Sequence, residues 1–137
     1  MHPRTWLLFV LGGLTWAFPA LAQQPGIARP DTVLEEIVDG LPRDQRQSVR
    51  IMTATFRPGE RTIPHTHRFP VAVYVLEGIF TLELKGRPPV AVKAGEALVE
   101  PANVEMVGYN RSAADPTRVV IFYVATPGTP FLDPTHH

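Results

Sequence analysis

The sequence predicts an all-β barrel or sandwich. From Ser48 onward, short apolar or alternating runs recur at a spacing of about 8–12 residues, which is strand length plus a turn. Ten glycines and 15 prolines punctuate the chain of 137 residues, many of them between those runs. The loop Lys85-Gly86-Arg87-Pro88-Pro89 excludes helix, because paired prolines remove two backbone donors and fix φ.

The elements follow in order. SVRIMTATF alternates Val49, Ile51 and Thr53 against Met52, Ala54 and Phe56, so it reads as a strand with one buried face. Arg57-Pro58-Gly59-Glu60 is a turn. VAVYVL (71–76) is too apolar for a wet face and predicts a strand buried on both sides. IFTLEL (79–84) alternates again. Further strands are expected at 90–92, 97–100, 105–109 and 118–125, with turns at 93–96 and 101–103. The tail PGTPFLDPTHH is Pro-rich and is expected to lie extended against the surface. Before the strands, Asp31 can cap a short helix over 32–38 that Gly40 and Pro42 close, an edge strand being the alternative.

The first residues predict export rather than structure. Arg4, an apolar run from Trp6 to Phe18 and the small pair Ala20 and Ala22 make a cleavable secretory signal over 1–22. The run is shorter than the ~20 residues of a membrane span. Cleavage would leave an arm over 23–44, the barrel over 45–127 and a tail over 128–137, in the periplasm or secreted. The chain has no cysteine, so thiolate metal sites, thiol nucleophiles and disulfides are excluded. Without Arg4 there are 12 basic against 13 acidic residues, a net charge of about −1, which predicts no nucleic-acid partner and, after cleavage, no membrane partner.

Chemistry concentrates at Pro64–Gly78, PHTHRFPVAVYVLEG. His65 and His67 are two apart, so a strand puts both imidazoles on one face. No Ser-His-Asp order, phosphate loop or nucleotide fingerprint accompanies them. His136 and His137 close the chain and can take metal non-specifically.

The spacing of Gly59, His65-Thr66-His67 and Tyr74–Gly78, followed by Gly95, Pro101 and Asn110, resembles the two motifs of the cupin superfamily, most closely its small exported single-domain members. Pro89-Val90, Ala94-Gly95-Glu96 and Glu100-Pro101 match as well. The resemblance implies a double-stranded β-helix, a jelly-roll-like barrel, carrying up to four metal ligands. His65 and His67 fill two of those positions; the carboxylate position falls on Val71 and the second-motif histidine on Met106. Glu100 and Glu105 flank the second motif. Glu100, in an Glu-Pro pair that related small cupins carry, is the expected third ligand. Adjacent strand residues face opposite ways, so Glu105 faces out if Met106 faces in.

The expected metal site is therefore His65, His67 and Glu100. Two histidines and one carboxylate suit Fe²⁺ or Mn²⁺, and the Met106 thioether would suit copper; the other reading is no cofactor, with the histidines hydrogen-bonding a polar ligand. Tyr74, Met106 and Arg68 are the candidate substrate-binding residues, Arg68 for an anion at the barrel mouth. The expected function is binding of a small molecule in the barrel beside a partial metal site. The alternative is a metal-dependent oxygenase or isomerase-like enzyme. Open sheet edges seek cover, which predicts a homodimer through the N-terminal segment and its nearest strand.

Overall fold

The β-only expectation holds: the computed structural model describes residues 26–135, and among them are nine strands and no helix. The expected signal, 1–22, and His136 and His137 lie outside the described residues. The chain divides at Pro30, and all that follows concerns the unit from Asp31 onward.

The strands are β1 (Ser48–Phe56), β2 (His65–Thr66), β3 (Val71–Glu77), β4 (Ile79–Leu84), β5 (Val90–Lys93), β6 (Ala97–Glu100), β7 (Met106–Tyr109), β8 (Thr117–Ala125) and β9 (Asp133–Pro134). They form two antiparallel sheets, ordered β1-β8-β3-β6 and β5-β4-β7-β2-β9. β1 pairs along all nine residues with β8, from Ser48 opposite Ala125 to Phe56 opposite Thr117. Its other edge pairs with no strand among the described residues.

Period two sets the core. Val71, Val73 and Val75 of β3 point inward, as do Phe80 and Leu82 of β4 and Met106 of β7, and all six are buried. On β1, Met52, Ala54 and Phe56 pack against this cluster, while Val49 and Ile51 stay exposed. The expectation that β3 is buried on both sides is corrected: Ala72 and Tyr74, on its outer face, are half-buried. The run is apolar because that face meets a partial cover rather than a second layer.

Two motif positions have local reasons. Gly78 has φ +74°, and a Cβ there would lie 2.4 Å from the Pro116 carbonyl oxygen, so only glycine turns β3 into β4. Asn110, 2% exposed, is a clamp: its Nδ2 donates to the carbonyls of Phe56 (3.2 Å), Arg57 (3.2 Å) and Asp115 (2.8 Å), and its Oδ1 accepts from the Ser112 amide (2.9 Å). One amide side chain thus holds three segments at the end of the barrel.

The expected helix over 32–38 is absent; residues 31–47 form an irregular, extended arm. Thr32, Val33, Ile37 and Val38 are β-branched, which lowers helix propensity. Leu34, Glu36 and Val38, at period two, line a groove with Ala72, Val99 and Phe122 on the outer face of the first sheet. The C-terminal tail is extended, as expected, but it is also built into the second sheet. Thr66 pairs with Asp133 and His65 with Pro134, which makes β9 the outermost strand beside β2.

Candidate metal and ligand site

β2 carries the site. His65 lies opposite Met106 of β7 on one side and Pro134 of β9 on the other. His67 follows two residues later on the same face. His65 is 4% exposed and His67 1%. Their rings meet edge to face, with centroids 4.8 Å apart.

Each ring is oriented by a backbone carbonyl. His65 Nδ1 lies 2.7 Å from the oxygen of Ile63, and His67 Nδ1 lies 2.6 Å from that of Phe131. A carbonyl only accepts, so both Nδ1 atoms carry the proton and donate it. In the neutral rings both Nε2 atoms then present lone pairs. Those lone pairs converge: Nε2 to Nε2 is 3.2 Å, and His67 Nε2 to Glu100 Oε2 is 3.1 Å. Three acceptors therefore meet in a buried space, since Glu100 is itself 6% exposed. Such a cluster needs a cation, either one proton shared among the three or a metal ion.

Glu100 reaches this point by strand register. It ends β6 and lies directly across from Val71 of β3, the position where the sequence resemblance places its carboxylate ligand. The carboxylate arrives from the neighbouring strand. Glu105 is elsewhere: its carboxylate lies 3.3 Å from Lys85 Nζ. Burial, more than any charge, pushes the His65 imidazole below its ordinary value; the neighbouring His67 adds to this, and the Ile63 carbonyl and Glu100 oppose it.

The donor set fits a divalent transition metal by chemistry: two imidazole nitrogens and one carboxylate oxygen. Among the described residues no group of three or more His, Cys, Asp or Glu side chains stands arranged to hold an ion; here His67 touches both of the other donors. Their separations are nonetheless those of neighbouring ligands. With bonds of about 2.1 Å, adjacent donors sit about 3.0 Å apart in an octahedron and about 3.4 Å in a tetrahedron.

Beside the donors is a cavity of about 50 Å³. Its wall includes Phe56, Val73, Phe80 and Ile121, with His65, His67 and Glu100 as the charged or polar side. Gly108 forms part of the wall because Phe80 fills the space above it: a Cβ there would lie 2.6 Å from the Phe80 ring. Phe131 and Leu132, from the segment between β8 and β9, complete it.

The three candidate substrate-binding residues are dispersed. Met106 is in the core next to His65, 1% exposed, and does not line this cavity. Tyr74 belongs to the outer face of β3, because Val73 and Val75 on either side point inward, so it is removed from the cavity. Arg68 is exposed and its guanidinium is taken by Asp133, with Nε–Oδ2 2.8 Å and Nη2–Oδ1 3.0 Å. Two neighbours of the site escaped the sequence reading. Tyr123, fully buried on β8, sets its ring against His67 (6.0 Å) and Phe131 (5.5 Å), and burial raises its phenol above the ordinary value. Phe131 packs its own ring on His67 at 4.7 Å.

The model of the family described as a cupin domain matches residues 52–123. No curated protein matches the sequence. Among solved structures, the chain is similar to one of the DMSP lyases RdDddP and RnDddQII, with TM-score 0.55 and 19% identity over 65% of this chain and 45% of that one. It is similar to a double-stranded β-helix protein of Methanocaldococcus jannaschii, with TM-score 0.53 and 20% identity over 70% and 95%. It is also similar to the polyketide cyclase RemF of Streptomyces resistomycificus, with TM-score 0.54 and 25% identity over 65% and 61%. The chain thus spans less than half of the lyase and about six-tenths of the cyclase.

Proposed function

The chain belongs to the cupin family, and from that premise we propose that it is an exported protein that holds a divalent metal ion, Fe²⁺ or Mn²⁺, on His65 Nε2, His67 Nε2 and Glu100, and binds a small molecule beside it. One observation carries the reading: the buried His67 Nε2 lies 3.2 Å from His65 Nε2 and 3.1 Å from Glu100 Oε2, while both Nδ1 protons are committed to carbonyls. When bound, the ion supplies a Lewis acid with positions left for an exogenous ligand. The chain's own residues do the rest. The Ile63 and Phe131 carbonyls fix the imidazole tautomers. Phe80, Val73 and Ile121 keep the cavity apolar and exclude bulk water. Export rests on the signal pattern of 1–22, and the open edge of β1 is the proposed homodimer contact, checked by sedimentation over a range of concentrations.

A second reading rests on how closely the three side chains touch. One shared proton satisfies all three, so a metal-free barrel binding a polar ligand by hydrogen bonds is also self-consistent. Metal content and chelator-dependent melting separate the two, measured on protein ending before His136. Wild type and Glu105→Ala are expected to retain a stoichiometric ion, and His65→Ala and Glu100→Ala to lose it. Equal retention by Glu100→Ala removes its role as ligand. No metal in any variant, with a chelator-insensitive melt, establishes the metal-free reading.

A further inference from the structure

The C-terminal segment makes contacts at the site that a surface tail has no need of. Its backbone, not a side chain, supplies the acceptor for His67 Nδ1. Its Phe131 and Leu132 line one side of a cavity whose remaining wall comes almost wholly from paired strands and the histidines. Its attachment rests on Phe131, packed on His67 and Tyr123, and on a few hydrogen bonds near the surface. β9 is two residues long. The Thr135 amide donates to the Pro64 carbonyl (3.0 Å), Arg50 Nη2 donates to the Thr129 carbonyl (2.7 Å), and the Arg68–Asp133 pair is solvent-exposed. At the other end is a turn, Thr129 N–H to the Thr126 carbonyl, with Gly128 at φ +85°. Elements with few buried contacts and exposed hydrogen bonds open at lower free energy than the sheets they cover.

We propose that residues 128–135 form a strap with two roles: the Phe131 carbonyl is a positioning group for His67, and release of the strap from β2, about the turn at Gly128, is how a ligand reaches the cavity. The first role sets how well the site holds its ion, since loss of a partner that orients a ligating histidine typically weakens affinity about 10–100-fold. The second sets how fast anything enters. The two roles predict opposite signs for a strapless protein, which takes up metal faster and holds it less well. The metal-dependent part rests on the reading given above; the orientation of His67 does not.

The test uses the full chain, a chain ending at Gly128, and the point variants Asp133→Asn and Arg68→Ala. Imidazole ¹⁵N and proton spectra report His67 Nδ1–H, and Co²⁺ serves as the metal probe by stopped-flow absorbance and titration. In the full chain the Nδ1–H signal is expected to be protected from exchange. In the shortened chain it is expected to be lost, with Co²⁺ uptake faster and equilibrium affinity about 10–100-fold weaker. The point variants keep the carbonyl, so uptake and Thr135 amide exchange accelerate several-fold while affinity stays within about 2-fold. Should the shortened chain fail to fold, the point variants decide the gating role, and an unprotected His67 Nδ1–H in the full chain overturns the positioning role. Unchanged Thr135 exchange and uptake in both overturns the gating role, and a protected His67 Nδ1–H in a folded shortened chain overturns the positioning role. If no form binds Co²⁺, the metal reading falls, and the strap is judged on Nδ1–H protection and Thr135 exchange.

Discussion

The two flanks of the barrel, the arm over 31–47 and the strap over 128–135, differ in composition and in consequence. The arm is charged and holds one proline, Pro42, the strap holds Pro130 and Pro134, and both are nearly free of regular structure. The arm lies on the outside of a sheet, and Ile37 on it is 99% exposed. The strap finds an unpaired edge at β2, and through it gains a backbone ladder, a ring stack and a carbonyl bond to His67. An irregular segment is drawn into a site by the hydrogen bonds left unmade on the strand beside it, more than by its own hydrophobicity. The arm lies across a sheet face rather than along a strand edge, so its apolar side chains only shade that outer face.

The contrast can be calibrated against a residue inside the barrel. Asn110→Ala removes four hydrogen bonds from a buried side chain that ties three segments together, and is expected to cost about 3 kcal/mol in denaturant unfolding. Next comes the comparison itself. Phe131→Ala is expected to destabilise by about 2 kcal/mol, being half-buried against His67 and Tyr123, and Ile37→Ala by less than about 0.5 kcal/mol. Equal effects would abolish the distinction between the flanks.

A pH titration sharpens it. The imidazole of His65 is held below its ordinary value of 6.5 in the metal-free fold, chiefly by burial. As pH falls through 6.5 the unfolded chain therefore takes up the proton first, and stability declines from there down to the folded value. Apo protein is expected to melt progressively lower as pH falls below 6.5, and His65→Gln to flatten that slope. The same slope in both would mean that His65 is not the group responsible. The smallest effect belongs to the strap's exposed ion pair. Arg68 holds the Asp133 carboxyl below its ordinary range by hydrogen bonding. The pair's contribution is therefore present above the usual carboxylate range and lost as pH falls through the lowered value. Asp133→Asn is expected to lower the melting temperature slightly at neutral pH and not at all in strong acid.

Much of this was legible in the residues. Alternation gave β1 and β4, and Gly78 and Asn110 stood at the corners where a left-handed turn and a multiple hydrogen-bond clamp are needed. The His65–His67 pair could be read because strand period alone puts both on one face. Tyr74 could have been excluded by the same rule: once Val71 occupies an inward position, Tyr74 three residues on must face out. Other features had no signal. That Glu100 sits across from Val71 depends on strand register, which a single chain does not display. The partner of His67 is a main-chain oxygen, so no residue type advertises it. Tyr123 sits in an apolar strand and reads as core, which it also is. The helix expected in the arm failed because a period-two pattern at Leu34, Glu36 and Val38 overlaps a helical one over so short a stretch.

The cavity's size has a kinetic corollary. At about 50 Å³ it is far smaller than the roughly 300–1,000 Å³ of sites that enclose a drug-sized ligand. A ligand of more than a few atoms therefore waits for the closed form to yield, and adding more of it cannot shorten that wait. The observed binding rate should climb with ligand concentration and then level off, at a plateau equal to the opening rate and the same for chemically unrelated ligands. Among point variants, a change at Phe131 or Asp133 should move that plateau, and a change at Ile37 should leave it where it is.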